Sequence, residues 1–589
     1  MKLPKWIEKR YDELWQAFQG RTFRTSDAAR VLKEKFKDGE DQVNVVLAEL
    51  RKSGWLIARP DPADARKRLY QLKGRDELLS QTLLLNRKKH LSRGELEAFL
   101  KKAADLIRTR VDYTFILVLL FYKRICDKWK MEYELEYKKA VDDGLSPEEA
   151  RKEAKDAAYH DFDIPDEFLW DEIRKDPARI AENFSRAMKV FGERNPDVRD
   201  IFENVDFVQF TSNRENAEIL RQLVELFSAQ SLHNVSPDIL GDAYEWILRY
   251  FAPQKAKEGE VYTPREVIEL IVKILSPKPK QSIYDPAVGS AGMLILSYQY
   301  VKRQSGKDAA DKLFLYGQEA NYKTLALAKM NLYIHDIRNA NLYLGDTLRF
   351  PKTKEGSHLK KFDIVIANPP WNQDGYNEEE LKKGEFWQER FGYGFTPRQS
   401  ADWAWIQHML ASADDTGGKV GIVIDNGCLF RGGKEKAIRK GVIDDDLLES
   451  VILLPEKLFY NTGAPGAVLI FNKKKPRQRK NKILFINASQ EFEKHPEVRK
   501  LNRLGEKNRE KVVRAYKEFS EEKGFSRIVE KDEIEDNDYN LNVTLYVYPE
   551  EEIEEIDIAK EWKELKTIDK EIARIDQKIA EYLKELKYE

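Results

Sequence analysis

The chain has 589 residues, and its 101 lysines and arginines against 102 aspartates and glutamates give a net charge of -1. At ordinary domain sizes this length corresponds to roughly three to five domains and excludes a small single-domain protein. Hydrophobic residues make up 42% and aromatic residues 11% of the chain, enough for several packed cores, which argues against wholesale disorder. Because the net charge is near zero, any binding of nucleic acid must depend on local basic patches or on a partner.

Membrane and metal signals are weak. The longest nearly continuous apolar stretch, residues 113–122, is much shorter than the roughly 20 residues that a membrane-spanning helix needs. The N-terminal sequence lacks the apolar segment of a secretory signal. Cys126 and Cys428 lie far apart in the chain, and the seven histidines form no paired metal-binding motif. We therefore expect a cytoplasmic protein without a membrane segment and without a structural metal.

The first 78 residues predict a small separate unit. Apolar residues at helical spacing indicate helices over residues 6–18 and 26–36 and a third helix that stops at Gly54. Two β-type runs, WLIARP and KRLYQL, follow on either side of a charged turn, so the pattern resembles a winged helix. The unit is either a packing or dimerisation module or a DNA-contacting helix-turn-helix, whose wing would carry Arg59, Arg66, Lys67 and Arg68.

The rest of the chain divides by periodicity. Residues 79–250 carry apolar side chains at steps of three and four and predict a helical domain. Residues 251–490 contain eight short β-type runs that alternate with helical stretches, which predicts an α/β domain with a largely parallel sheet and an antiparallel strand or two near its end. Residues 491–589 form a C-terminal region.

The C-terminal region ends in a segment with coiled-coil character. Its apolar residues alternate steps of three and four for about three heptads, and a single helix cannot bury such a seam. The seam predicts docking to a partner helix, with return onto the chain's own helical domain as the alternative. It consists of Leu565, Ile568, Ile572, Ile575, Ile579, Tyr582 and Leu586.

The strongest local motif is Asn368-Pro369-Pro370-Trp371. It directly follows the β-type run FDIVIA, so it lies at the carboxyl end of a strand, where α/β sheets bind ligands. The prolines stiffen the segment, and the Asn368 amide oxygen and the Pro369 carbonyl are left as acceptors. Such acceptors can hold an exocyclic amino group while Trp371 stacks on the base that carries it. The alternative is a tight loop that merely leaves the strand.

A second motif, DPAVGSAG, begins at Asp285 after the run SIY. Its small residues allow a ligand to approach the backbone, but it has neither the G-x-G-x-x-G pattern nor the lysine of a phosphate-binding loop. An acidic residue at its start suits a cationic nucleoside without phosphates, such as S-adenosylmethionine. Two further carboxylates at strand ends suit the ribose and the adenine of this cofactor. The predicted cofactor residues here are Asp285, Gly289, Ser290, Gly292, Glu319 and Asp346.

In this order, the motifs resemble those of amino-group DNA methyltransferases. The segment Tyr262-Thr263-Pro264 looks like the one that closes over the methionine end of the cofactor in that family. The stretches GEVYTPREVIELIV, DPAVGSAGML, ANPPW and NDYNLNVTLYV are similar to those of the modification (M) subunits of type I restriction-modification systems. The resemblance implies a doubly wound, Rossmann-like methyltransferase core in which Asn368, Pro369, Pro370 and Trp371 are catalytic and Asn368 also borders the cofactor.

The same resemblance implies the reaction and the partners. The expected reaction is methyl transfer from S-adenosylmethionine to the N6 amino group of adenine in double-stranded DNA. The expected partner is a specificity (S) subunit, with two M subunits to each S subunit, and association with a restriction (R) nuclease subunit stays open. The sequence departs from the family pattern at GSAG in place of GSGG, at Trp371 where phenylalanine is commoner and at Asp425 where proline is usual. The N-terminal unit is also outside the usual family plan.

Other functions remain as alternatives. A protein-glutamine or RNA amino-group methyltransferase would use the same motif, and a non-catalytic winged-helix DNA-binding scaffold is the alternative of another class. Cytosine C5 methylation is excluded, because it requires a cysteine nucleophile after a proline and neither cysteine follows one. The aromatic residues of the loop 372–400 either order over DNA or pack locally.

Overall fold

The structure is a computed structural model that describes residues 5–18, 21–53, 55–61, 64–73, 93–107, 112–202, 205–233, 235–257, 263–460, 462–496, 498–548 and 558–586. The chain divides into two compact units, Met1–Ala243 and Tyr244–Glu589.

The first unit begins with three helices and a small antiparallel sheet. The helices are α1 (Lys5–Phe18), α2 (Thr25–Phe36) and α3 (Glu40–Lys52), and the strands are β1 (Thr22–Arg24), β2 (Leu56–Asp61) and β3 (Asp64–Leu72), in the order β1-β3-β2. Buried apolar side chains from all three helices meet the sheet in one core. The predicted three helices and hairpin are confirmed, whereas β1 was not expected.

The hairpin carries the predicted basic wing. Arg59 and Arg68 are exposed, and the side chains of Arg66 and Lys67 lie outside the described residues. Helix α3 presents Asp41, Gln42 and other exposed residues to solvent. A role of this unit in DNA binding stays a prediction.

The remainder of the first unit is helical, as predicted. The apolar run at residues 113–122 lies at the start of the helix Thr114–Asp142, where residues 116–122 are buried, so this run is core. No described helix combines the length and the apolar composition that crossing a bilayer requires. The helices are α4 (Arg93–Ile107), α5 (Thr114–Asp142), α6 (Pro147–Glu153), α7 (Trp170–Ile173), α8 (Ile180–Arg194), α9 (Phe207–Phe210), α10 (Arg214–Ser228) and α11 (Pro237–Lys257), of which Tyr244 onward belongs to the second unit.

The second unit is built on a nine-stranded sheet. Its strand order is β16-β13-β11-β12-β10-β9-β4-β5-β6, and β12 and β16 run antiparallel to their neighbours. Each of the eight predicted β-type runs overlaps one of these strands. The strands are β4 (Ser282–Asp285), β5 (Phe314–Glu319), β6 (Ala340–Leu344), β9 (Ile364–Ala367), β10 (Lys419–Asp425), β11 (Leu448–Leu453), β12 (Gly466–Asn472), β13 (Lys482–Asn487) and β16 (Ser526–Glu530), and two small hairpins comprise β7 (Lys354–Glu355) with β8 (His358–Leu359) and β14 (Glu493–Lys494) with β15 (Asn502–Arg503).

Helices cover both faces of this sheet. Along β9, Ile364 and Ile366 pack into one core and Val365 and Ala367 into the other, because successive strand residues point to opposite faces. The architecture is therefore doubly wound, as predicted. The helices are α12 (Arg265–Leu275), α13 (Gly292–Ser305), α14 (Lys307–Ala310), α15 (Tyr322–Ile334), α16 (Glu378–Lys382), α17 (Trp387–Arg390), α18 (Asp402–Ser412), α19 (Gly433–Asp444), α20 (Glu506–Glu518), α21 (Lys531–Asp536), α22 (Val543–Tyr546) and α23 (Ile558–Glu585).

Strand pairing decides which loops meet. Strand β4 lies between β9 and β5, with Tyr284 in register with Val365 and Asp285 in register with Gly317. These three strands are parallel, so the loops that follow them emerge at the same edge of the sheet. The loop after Asp285 and the loop that begins at Asn368 are consequently neighbours.

The last part of the second unit contains both sheet and an isolated helix face. Strand β16 pairs with β13, so the sheet continues past residue 490. In α23, every described side chain from residue 562 to 584 is exposed. The predicted divisions of the chain at residues 78, 250 and 490 stay predictions.

Candidate functional site

A cleft lies where β4 and β9 end. It contains both acidic and apolar side chains, together with the small residues of the glycine-containing loop. Six of the predicted residues, Thr263, Asp285, Gly289, Ser290, Gly292 and Asn368, line this cleft, and the rest of the lining is Glu245, Arg265, Ile268, Ala287, Val288, Met293 and Leu296.

The loop after β4 is shaped by glycine and by close packing. Gly289 has a φ of +52°, which L side chains rarely adopt, and its N–H donates to Glu319 Oε2 at 3.1 Å. Below the loop, a Cβ atom at Gly317 would lie 2.8 Å from Val288 Cγ2. The loop can therefore sit directly on β5, with the Glu319 carboxylate holding its backbone.

Asp285 is the buried carboxyl group of the cleft. Only 1% of its surface is exposed, and Oδ1 accepts a hydrogen bond from the Ala287 N–H at 3.0 Å. Burial, and secondarily the negative charge of Glu319, raises the pKa of Asp285 to about 8. A cationic ligand bound beside Asp285 would stabilise the ionised form of this carboxyl group.

The Asn368 side chain reaches the cleft from the end of β9. Its Nδ2 donates to Thr263 Oγ1 at 2.7 Å, and its Oδ1 accepts from the Trp371 indole N–H at 2.9 Å. The next residue, Pro369, is buried, and Pro370 is exposed. The amide is thus held by Thr263, which also lines the cleft, and by Trp371 of its own motif.

The Trp371 ring is held in place by packing contacts on two sides. It packs edge-on against Phe459, with ring centroids 4.7 Å apart and planes at 68°. On another side it meets Gly466, where a Cβ atom would lie 2.8 Å from Trp371 Cη2. The indole fits here because position 466 has no side chain.

The motif is clamped at its far end. Asn372 has a φ of 52°, in the left-handed region, and its N–H donates to Asp402 Oδ1 at 2.9 Å. Arg431 donates to Asp402 Oδ2 at 3.0 Å and to the side chains of Asn372 and Asp425. Asp425, the residue that replaces the usual proline, is therefore a partner of the guanidinium that holds the loop.

The cluster around Arg431, called the clamp below, joins this one guanidinium to the carboxyl groups of Asp402, Asp425 and Glu435. It therefore has more acidic than basic groups. Asp402 and Glu435 are almost fully buried, and Glu435 Oε1 lies 3.4 Å from the Arg431 guanidinium. Burial raises the pKa of both carboxyl groups, and Arg431 opposes that rise. Arg431 thus offsets the burial of carboxylates beside the motif.

Other predicted residues lie around the cleft without lining it. Among the described residues these are Pro264, Glu319, Asp346, Pro369, Pro370 and Trp371. Asp346 accepts hydrogen bonds from the Tyr376 hydroxyl and the Leu348 N–H, both at 3.0 Å. Tyr262 lies outside the described residues.

Two charged residues of the lining, Arg265 and Glu245, were not predicted. Arg265 donates to Glu245 Oε2 at 2.6 Å and to Gln299 Oε1 at 3.1 Å, at the side of the cleft near Thr263. Arg265 directly follows the recognised Thr263-Pro264 segment, and that adjacency was a usable signal. Glu245 lies on α11, far from any motif, and nothing in the local sequence indicates it.

The aromatic residues of the loop 372–400 pack locally. Phe391 is 5% exposed, and its ring lies 5.8 Å from that of Phe395. Trp387, Tyr393 and Phe395 pack against the same core of the sheet. The local-packing alternative is therefore favoured over a role in covering DNA.

The described residues contain no His, Cys, Asp or Glu cluster arranged to hold a metal ion.

We predict that Arg431→Met destabilises the chain by about 3 kcal/mol near neutral pH, because Asp402 and Glu435 lose their cation. Both carboxyl groups then hold protons to higher pH in the native state than in the unfolded state. Stability of the variant therefore falls as pH rises from about 5 to about 8. Thermal unfolding at both pH values should show a gap from the unaltered chain that widens with pH. The exposed Arg477→Met variant is the control, and a gap independent of pH contradicts the account.

The comparisons with known proteins agree with this geometry. A family described as N-6 DNA Methylase matches residues 235–555, and the HsdM N-terminal domain matches residues 96–227. The chain is 44% identical to the type I restriction enzyme MjaVII methylase subunit of Methanocaldococcus jannaschii, over 99% of this chain and 97% of that protein. It is 42% identical to the MjaVIII methylase subunit of the same organism, over 98% and 97%.

A solved structure gives the same result. The type I restriction-modification methyltransferase subunit of Streptococcus thermophilus superposes with a TM-score of 0.67 at 26% identity, over 78% of this chain and 100% of that one. The match to MjaVII covers nearly the whole chain, so it includes most of the N-terminal unit, which is therefore not peculiar to this protein. The chain belongs to the N-6 DNA methylase family and is an adenine-specific DNA methyltransferase, the methylase (M) subunit of a type I restriction enzyme.

Proposed function

We propose that the cleft binds S-adenosylmethionine and that Asn368 holds the N6 amino group of the target adenine beside it. One observation carries this proposal. Asp285 and Asn368, which lie at the ends of two different strands, line one cleft. A buried carboxyl group and a side-chain acceptor so placed match the two halves of the reaction, a cationic methyl donor and an amino acceptor.

The residues of the cleft fit this cofactor. Asp285 supplies negative charge to a cationic ligand, and Gly289 and Ser290 allow its close approach to the backbone. The apolar side chains of Ile268 and Met293 provide contact for uncharged parts. When bound, the cofactor supplies the electrophilic methyl group. We assign Glu319 to the ribose hydroxyls, and Asp346 to the adenine amino group of the cofactor.

Asn368, Pro369 and Trp371 then act on the target base. A base inside a duplex cannot reach the cleft, so it is flipped out of the stack before reaction. Asn368 Oδ1 and the Pro369 carbonyl accept the two amino hydrogens, which turns the nitrogen lone pair toward the cleft. Trp371 offers its ring for stacking. The residues contribute mainly by positioning, and no covalent bond to the protein forms.

We expect Asn368→Ala to lower the rate of methyl transfer by about 100-fold or more, because one of the two acceptors is lost. Binding of S-adenosylmethionine, measured by calorimetry, should change less than about threefold, since Asp285 and the glycine loop remain. Transfer of a labelled methyl group to DNA gives the rate. The exposed Asn339→Ala variant is the matched control, and full activity of Asn368→Ala refutes the assignment.

The raised pKa of Asp285 predicts a pH dependence of cofactor binding. A cation binds the ionised carboxylate more strongly, so affinity should rise by roughly fivefold per unit between about pH 5.5 and 7.5. Over this range the α-amino group of S-adenosylmethionine remains mostly charged, so the predicted change in affinity comes from Asp285. Calorimetric titration of Asp285→Asn should give weaker binding with little pH dependence. Parallel profiles for the two proteins contradict a role for this carboxyl group.

Partner binding is proposed for the apolar seam of α23. Its residues are about half exposed, from 49% at Ile579 to 67% at Leu586. The loop 372–400 packs locally, and so sequence readout is assigned to another subunit. We propose that the seam docks on a helix of a specificity subunit, that two M subunits bind each S subunit, and that the complex acts on double-stranded DNA.

The double variant Ile572→Glu with Ile579→Glu should weaken association with the specificity subunit by about 100-fold or more, because two buried apolar contacts become charged. Light scattering on the co-expressed subunits measures the complex. Ala573→Glu with Ala580→Glu places the same charges at the same spacing on the outer face and should leave assembly intact. Equal assembly of both double variants refutes docking through the seam.

A further inference from the structure

We propose that the indole N–H of Trp371 fixes which way the Asn368 side-chain amide points, so that Trp371 is a positioning residue as well as a stacking surface. This inference rests on the proposed function of Asn368. It concerns a group that phenylalanine, the commoner residue at this position, does not have.

The chemical problem is the near symmetry of an amide. The oxygen and the NH2 group have almost the same shape, but only the oxygen accepts a hydrogen from the amino group of adenine. An Asn368 amide turned by 180° would direct its own NH2 group at the amino hydrogens of adenine, and no hydrogen bond could form. The rate therefore depends on how the protein sets the amide orientation.

The two contacts of the amide differ in what they specify. Asn368 Nδ2 meets Thr263 Oγ1 at 2.7 Å, and a hydroxyl can donate or accept, so this contact alone allows either orientation. Asn368 Oδ1 meets the Trp371 Nε1 at 2.9 Å, and an indole N–H only donates. The atom facing the indole must be the oxygen. Its second lone pair remains for the substrate.

The donor itself is held in place. Its ring lies against Phe459 and fills the space over Gly466, where a Cβ atom would lie 2.8 Å away. Pro369 and Pro370 restrict the backbone between Asn368 and Trp371. After Trp371, the Asn372 N–H is bound by Asp402. The indole N–H is thus positioned by groups that are independent of Asn368.

The sharpest test replaces Trp371 with 3-benzothienylalanine, which keeps the shape of the indole and substitutes sulfur for N–H. The chain is assembled with its specificity subunit, and methyl transfer to DNA is measured in a single turnover. We expect the rate to fall about fivefold, the effect of one ordinary hydrogen bond. Dissociation constants for S-adenosylmethionine and DNA, and the thermal midpoint, should stay within about twofold or a few degrees.

Further variants test the same assignment. Trp371→Phe also removes the donor and should lower the rate in the same direction, whereas Trp6→Phe, a half-exposed tryptophan of the first unit, should not. Thr263→Val removes the hydroxyl that Asn368 Nδ2 contacts and should lower the rate. Because both contacts hold one amide, the loss from Thr263→Val combined with benzothienylalanine should differ from the product of the single losses.

An unchanged rate with benzothienylalanine overturns the inference. A faster rate also overturns it, since the indole then competes with the substrate for the oxygen. A loss of cofactor affinity or of thermal stability equal to the loss in rate assigns Trp371 a packing role instead. Failure of the proposed function is separate, since it would appear as full activity of Asn368→Ala.

Discussion

The site depends on the parallel pairing of β4 with β9. This pairing places the end of one strand, Asp285, beside the end of another, Asn368, although the two residues lie in different parts of the sequence. A shift of one residue in the register would turn Ile364 and Ile366 toward the opposite core, so the apolar packing of both faces fixes the register. The geometry of the cleft therefore follows from the burial of the sheet.

The second constraint is electrostatic. Asp285 at the cleft and Asp402 at the clamp are both buried carboxyl groups, but they differ in partner. Asp402 has Arg431, which ties Asn372 into its left-handed conformation, whereas the Asp285 carboxyl accepts from the Ala287 backbone N–H and lies near the like negative charge of Glu319. One group stabilises the loop permanently. The other is left to be stabilised by a ligand.

Local signals allowed much of this arrangement to be predicted. The eight strands were recognised because each is a compact apolar run, and Asp285 and Asn368 because each directly follows such a run. Glu245, Arg431 and Gly466 were not recognised, because their roles arise from contacts between distant segments. The aromatic loop 372–400 shows the same limit, since the sequence could not distinguish rings packed on the sheet from rings awaiting DNA.

The exposed seam of α23 also bears on how the chain behaves in solution. A long helix edge of leucine and isoleucine is a surface on which identical copies adhere to one another whenever no other cover is present. The supply of whatever covers this edge therefore limits how much of the chain stays dispersed in solution.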